Sequence, residues 1–97
     1  MLTGDFNFPP VAPEYPQIQA PLAGGGPRYR DAWALVHGRL PHAPTFCLHS
    51  RNYGKTPYCC DFLFVSDNLA ARARSVRVDV ETQASDHQPV LLELDDR

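Results

Sequence analysis

Asp86 and His87 stand side by side in Ala84-Ser85-Asp86-His87-Gln88-Pro89-Val90, just ahead of the apolar run Val90-Leu91-Leu92. In a strand or its lead-in, neighbouring side chains point to opposite faces, so the pair is expected to serve different partners. One can hold a cation while the other handles a proton or a phosphate oxygen. The same residues also read as a turn capped by the acid. At the other end, Leu2-Thr3-Gly4-Asp5-Phe6-Asn7 sets an acid and an amide two apart behind an apolar residue. If Leu2 to Asp5 is the end of a buried strand, both side chains leave its carboxyl end, where open α/β sheets keep their sites. Between the two, Tyr58 to Ser66 carries one acid, Asp61, in an otherwise apolar strand, where a carboxylate is costly unless paired.

Taken together, these stretches resemble the endonuclease/exonuclease/phosphatase superfamily, whose nucleases and phosphodiesterases are similar to deoxyribonuclease I. The resemblance rests on Gly4-Asp5-Phe6-Asn7, Cys60-Asp61-Phe62 and Ser85-Asp86-His87-Gln88-Pro89-Val90, with Asp31-Ala32-Trp33 and Thr45-Phe46 as lesser landmarks in the same order. Cys60 replaces the apolar residue usual before the acid. The resemblance spans essentially all 97 residues but only the C-terminal half of the family's domain. It implies an α/β fold, part of a two-sheet α/β sandwich with helices outside.

It also implies a metal-dependent hydrolase of phosphodiester or phosphomonoester bonds. Asp5 would orient or deprotonate the attacking water and touch the metal. Asn7 would donate to a phosphate oxygen, and His87 would contact the phosphate or relay a proton. Asp61 would hold the other ring nitrogen of His87, and Asp86 would help hold the cation. The acids offer oxygen ligands, which suits Mg2+ or Mn2+ better than zinc. The family's metal-binding glutamate, an asparagine and a second histidine map to no residue here. The expected site is therefore half built, and an N-terminal half is expected in the full protein. The substrate is a phosphate ester: nucleic acid, phospholipid or inositol phosphate. The other reading is a non-catalytic truncated remnant or a binding module.

Composition sets the outer bounds. A hydrophobic share of 43% and a net charge of -2 describe one small globular unit, residues 1–97, without the basic footprint of non-specific nucleic-acid binding. No run approaches ~18 apolar residues, so no membrane span is expected. No signal peptide is visible, and the expected setting is cytoplasmic. Cys47, Cys59 and Cys60 make neither a zinc spacing nor a disulfide frame, and read as buried reduced thiols acting as small hydrophobes.

The positioning elements follow from local pattern. Pro13 to Ala20 reads as a short helix closed by Pro21. Ala23-Gly24-Gly25-Gly26-Pro27 lacks the lysine and hydroxyl residue of a phosphate loop and reads as a connector. Arg30 to His37 reads as a helix with Trp33 in the core and Gly38 as its cap. Leu40 to Pro57 is a proline-rich loop carrying His42, His49, Arg51 and Lys55, either a solvated surface or a rim that meets the phosphate ester. His37, His42 and His49 are irregularly spaced with no acid beside them, which argues against a metal cluster. Leu69 to Arg74 reads as a helical turn. Val76, Val78 and Val80 alternate with Arg77 and Asp79 as in a half-exposed strand, and Pro89 to Leu94 closes the chain as another.

Overall fold

The computed structural model describes residues 1–49 and 56–96; Arg51 and Lys55, two of the expected rim residues, lie outside the described residues. The molecule is α/β, with two small antiparallel sheets and three short helices among the described residues. β3, Asp61–Ser66, is the middle strand of the first sheet, in the order β1-β3-β2. Its aromatic and branched residues suit a pleated surface covered on both faces, and Phe62, Phe64 and Val65 are buried. Phe6, Phe8, Tyr15 and Phe62 pack in tilted, stacked and edge contacts with ring centroids 5.5–5.9 Å apart, a geometry favoured by the ring quadrupole.

β1, Leu2–Asp5, runs antiparallel to β3 with Leu2 opposite Phe64 and Asp5 opposite Asp61. The expected buried strand is instead an exposed one at the sheet edge, with all four residues open to solvent. Antiparallel pairing has a useful outcome: the end of β1 and the start of β3 meet at one edge of the sheet. The site is therefore not at the common carboxyl end of parallel strands.

On the other side of β3 lies β2, Tyr29–Asp31, with Tyr29 opposite Ser66. Arg30 and Asp31 are thus strand, where a helix from Arg30 was expected. The helix α2, Ala32–His37, begins only after Asp31, whose carboxylate caps it by accepting from Trp33 N–H at 3.1 Å. Gly38 ends it at φ 61°, donating to Ala34 O at 2.9 Å. Trp33 is half-buried rather than core, with Nε1–H donating to Leu40 O at 2.9 Å. The first helix, α1, spans Glu14–Ile18, within the stretch expected.

β3 passes into a one-turn helix, α3, Asp67–Ala70. The second sheet pairs β4, Ala73–Val78, with β5, Val90–Leu94, and Val78 faces Val90. β4 starts earlier and stops earlier than the valine alternation suggests, leaving Val80 beyond its end and exposed. α2 packs against both β3 and β4, joining the sheets. Among the described residues, no helix is long and apolar enough to cross a membrane.

Candidate active site

Asp5 and Asp61 are directly opposite each other across β1 and β3. Two carboxylates in that relation repel unless a positive or donor group lies between them. The His87 imidazole supplies it. Nδ1 lies 2.8 Å from Asp61 Oδ2 and Nε2 lies 3.5 Å from Asp5 Oδ2. An ionised carboxylate only accepts, so Nδ1–H is the donor to Asp61. This is the partner that an acid inside an apolar strand requires.

The segment carrying His87 is held by its backbone. Gln88 N–H donates to Thr45 O at 2.6 Å and Cys47 N–H to Asp86 O at 2.9 Å. Gln88 itself is buried, and its amide donates to Asp79 O at 2.7 Å and Thr82 O at 2.8 Å. Ser85 Oγ accepts from His87 N–H at 3.1 Å, and the Phe46 ring sits 4.7 Å from the imidazole. These contacts fix the ring before any ligand arrives.

Asp61 Oδ2 accepts from Thr45 Oγ1 at 2.7 Å as well as from His87, and Cys60 Sγ lies 3.5 Å from the same oxygen. Thr45 Oγ1 in turn accepts from the N–H groups of Cys60 and Asp61 at 3.1 and 3.2 Å. The hydrogen bond to Asp61 raises the His87 pKa above its ordinary value, partial burial works against the rise, and the charges of Asp61, Asp5 and Asp86 add to it.

Asn7 adopts φ 58°, a left-handed conformation that asparagine tolerates better than most residues. Its N–H donates to Asp5 Oδ1 at 2.8 Å. In the orientation that satisfies both groups, its side-chain amide also donates to Asp5 Oδ1 and Oδ2 at 3.2 and 3.3 Å. Asp5 and Asn7 therefore act as one unit.

Asp86 lies in a bend just before His87 rather than in an extended segment, though its charge still acts on the ring. It lines a surface pocket with His49, Gln83, Ala84 and Ser85, and Ser85 Oγ donates to its Oδ1 at 3.3 Å. Among the described residues, the one group of potential metal donors is Asp5, Cys60, Asp61 and His87, with ligand atoms within 4.8 Å of one another. Asp86 is not in it. Of the five residues expected, the fold gathers Asp5, Asn7, Asp61 and His87 and sets Asp86 to one side.

Sequence reading gave Cys60 no role beyond filling space and Thr45 none beyond a landmark. It also missed a second Asp–His pair. Asp31, 2% exposed, accepts from His42 Nε2 and Tyr15 OH on Oδ2, while its N–H donates to Gln19 Oε1 at 3.0 Å. His42 therefore does have an acid beside it, eleven positions earlier in the chain. His37 and His49 turn instead to the carbonyls of Val76 and Val80, at 2.7 and 2.6 Å. Burial and the Asp31 carboxylate push the Tyr15 phenol up.

Comparison of the chain with protein-family models, curated proteins and solved structures gives no match.

Proposed function

We propose that this chain is the C-terminal part of a deoxyribonuclease I-like domain and supplies one side of the site of a metal-dependent phosphoric ester hydrolase. The observation that carries the reading is the imidazole of His87 held between Asp61 and Asp5. Asp61 fixes the tautomer with hydrogen on Nδ1 and raises the basicity of the ring, leaving Nε2 toward Asp5 and the approaching ester. Protonated, His87 donates to a phosphoryl oxygen or leaving group; neutral, it takes a proton from water.

Asp5 orients that water, and Asn7, a neutral donor now spent on Asp5, can turn to a phosphoryl oxygen without adding repulsion. The donor chemistry fits a divalent cation: Asp5, with its side chain 38% exposed, offers hard oxygen at the rim. Asp86 joins it only if the Ser85–Asp86 turn swings toward β1. Mg2+ or Mn2+, when bound, supplies charge relief at the phosphoryl oxygens. Further sequence is expected to supply the opposing wall and the remaining ligands.

The test is hydrolysis of a simple phosphodiester, bis-p-nitrophenyl phosphate, with Mg2+ or Mn2+, by the chain alone and within its longest reading frame. Expected is low turnover by the chain, higher turnover in the longer form, and a loss of ~10²-fold or more on Asp5→Ala or His87→Ala. Turnover indifferent to both substitutions, or absent from both forms, defeats the proposal and leaves a binding module as the better reading.

A further inference from the structure

We infer that Asp5, Cys60, Asp61 and His87 form a site for a thiophilic divalent cation, zinc above all, distinct in chemistry from an oxygen-only magnesium site. Consecutive residues of a strand point to opposite faces, yet Cys60 lies just before β3 begins, and its Sγ reaches to 3.5 Å from Asp61 Oδ2. The thiol thereby joins the imidazole and the two carboxylates around one point.

The spacing suits tetrahedral coordination. Ligand bonds of about 2.1 Å to nitrogen or oxygen and about 2.3 Å to sulfur put an N–O pair about 3.4 Å apart and an S–O pair about 3.6 Å apart. Cys60 Sγ and His87 Nδ1 lie 3.5 and 2.8 Å from Asp61 Oδ2, and no pair in the group exceeds 4.8 Å. Asp61 Oδ2 lies on the Nδ1 side of the ring, so the ion takes Nδ1 in place of its hydrogen, with Asp61 and Cys60 beside it, and Asp5 turns in to complete the set.

Donor type then selects the ion. Magnesium takes oxygen ligands in octahedral geometry and gains nothing from a thiol, whereas Cys, His and carboxylate together suit zinc. On binding, Cys60 gives its proton to solvent and coordinates as thiolate. Nothing in the cysteine spacing announces such a site, because three of its ligands come from residues 5, 61 and 87. Zinc held there would occupy Asp5, Asp61 and His87 together and inhibit any hydrolysis they perform. The inhibition rests on the hydrolase reading above; the binding does not.

The experiment titrates the 97-residue chain with Zn2+ against a chromophoric chelator, and with Co2+ while watching for a thiolate-to-cobalt charge-transfer band. Expected are one equivalent of zinc and a clear band. Cys60→Ser and Cys60→Val are expected to abolish the band and weaken zinc by at least ~10-fold, since losing even an outer-shell partner of a metal site costs that much. Cys47→Ser and Cys59→Ser are expected to leave both readouts as they are. Circular dichroism identifies a variant that fails to fold, and His87→Gln, which leaves every thiol in place, then supplies the same comparison for zinc affinity. Zinc binding unchanged by Cys60→Val and His87→Gln, or a band that persists without Cys60, overturns the inference. A Cys60-dependent band in a chain without hydrolysis sinks the hydrolase alone, and hydrolysis with no such band sinks the zinc site alone.

Discussion

Thr45 Oγ1 donates to Asp61 Oδ2 at 2.7 Å and accepts from Asp61 N–H at 3.2 Å, so one hydroxyl grips both the backbone and the carboxylate of the same residue. It also accepts from Cys60 N–H at 3.1 Å, and Thr45 is 1% exposed. A loop residue thereby sets the position at which β3 begins and the direction of its acid.

Thr45→Val keeps the shape and removes the hydroxyl, taking its partner from the buried Cys60 N–H, the part-buried Asp61 N–H and one carboxylate lone pair. The expected loss of stability is about 2 kcal/mol, with Thr45→Ser near the parent. Urea unfolding of the three proteins checks this. Equal midpoints for Val and Ser would mean that the hydroxyl contributes packing only.

His87 is expected to titrate above its ordinary 6.5 in the folded chain, chiefly through the bond to Asp61. A raised folded pKa means the pairing contributes its full stability below 6.5 and loses it as pH rises through the folded value. An NMR titration of the imidazole reads the pKa directly, and Asp61→Asn is expected to lower it. A folded value at or below 6.5 removes the case for a basic His87.

At alkaline pH the thiols and the phenol decide. Cys59 and Cys60 are pushed from 9.0 up to about 12, chiefly by burial, and Tyr15 is raised above 10.0. Between pH 9 and 12 the unfolded chain gives up these protons first and so binds fewer than the native chain. Stability therefore falls as pH rises through that window. Urea midpoints at pH 7, 9 and 10.5 are expected to decline, less steeply in Cys59→Ala. A flat profile would show these groups to be open to solvent.

Asp31→Ala strips the acceptor from Tyr15, His42 and the first turn of α2 at once. The expected cost is about 3 kcal/mol, combining unpaired buried donors with a lost helix cap. His42 sits three residues before Thr45 in the same loop, so His42→Ala is also expected to move the His87 pKa back toward 6.5. Thermal unfolding and the same NMR titration check the two effects.

Some of this was legible in the sequence alone. The aromatic and branched residues at 58–66 marked β3, an acid among them had to find a partner, and the family resemblance named His87. The helix cap at Gly38 was equally plain. Three features lay beyond local pattern. Arg30 and Asp31 fit a helical period as well as they fit strand, and only pairing with β3 decides between them. His42 meets Asp31 because a proline-rich loop folds back over α2, which no spacing encodes. Cys60 shares a side with Asp61 because the chain is not yet regular strand there, so alternation misassigns it.

The exposed edge position of β1 gives the site two parts of unequal durability. Asp61 and His87 are fastened to buried Thr45 and Gln88, and they should stay together until the whole molecule unfolds. Asp5 rides on four exposed residues whose only strand partner among the described residues is β3. Such edges open locally at a fraction of the global free energy. Amide exchange should therefore run faster at Gly4, whose N–H faces β3 from the edge strand, than at Val65, whose N–H faces β2. With each such opening the carboxylate departs while the imidazole stays, making β1 a gate on the site that works without disturbing the core.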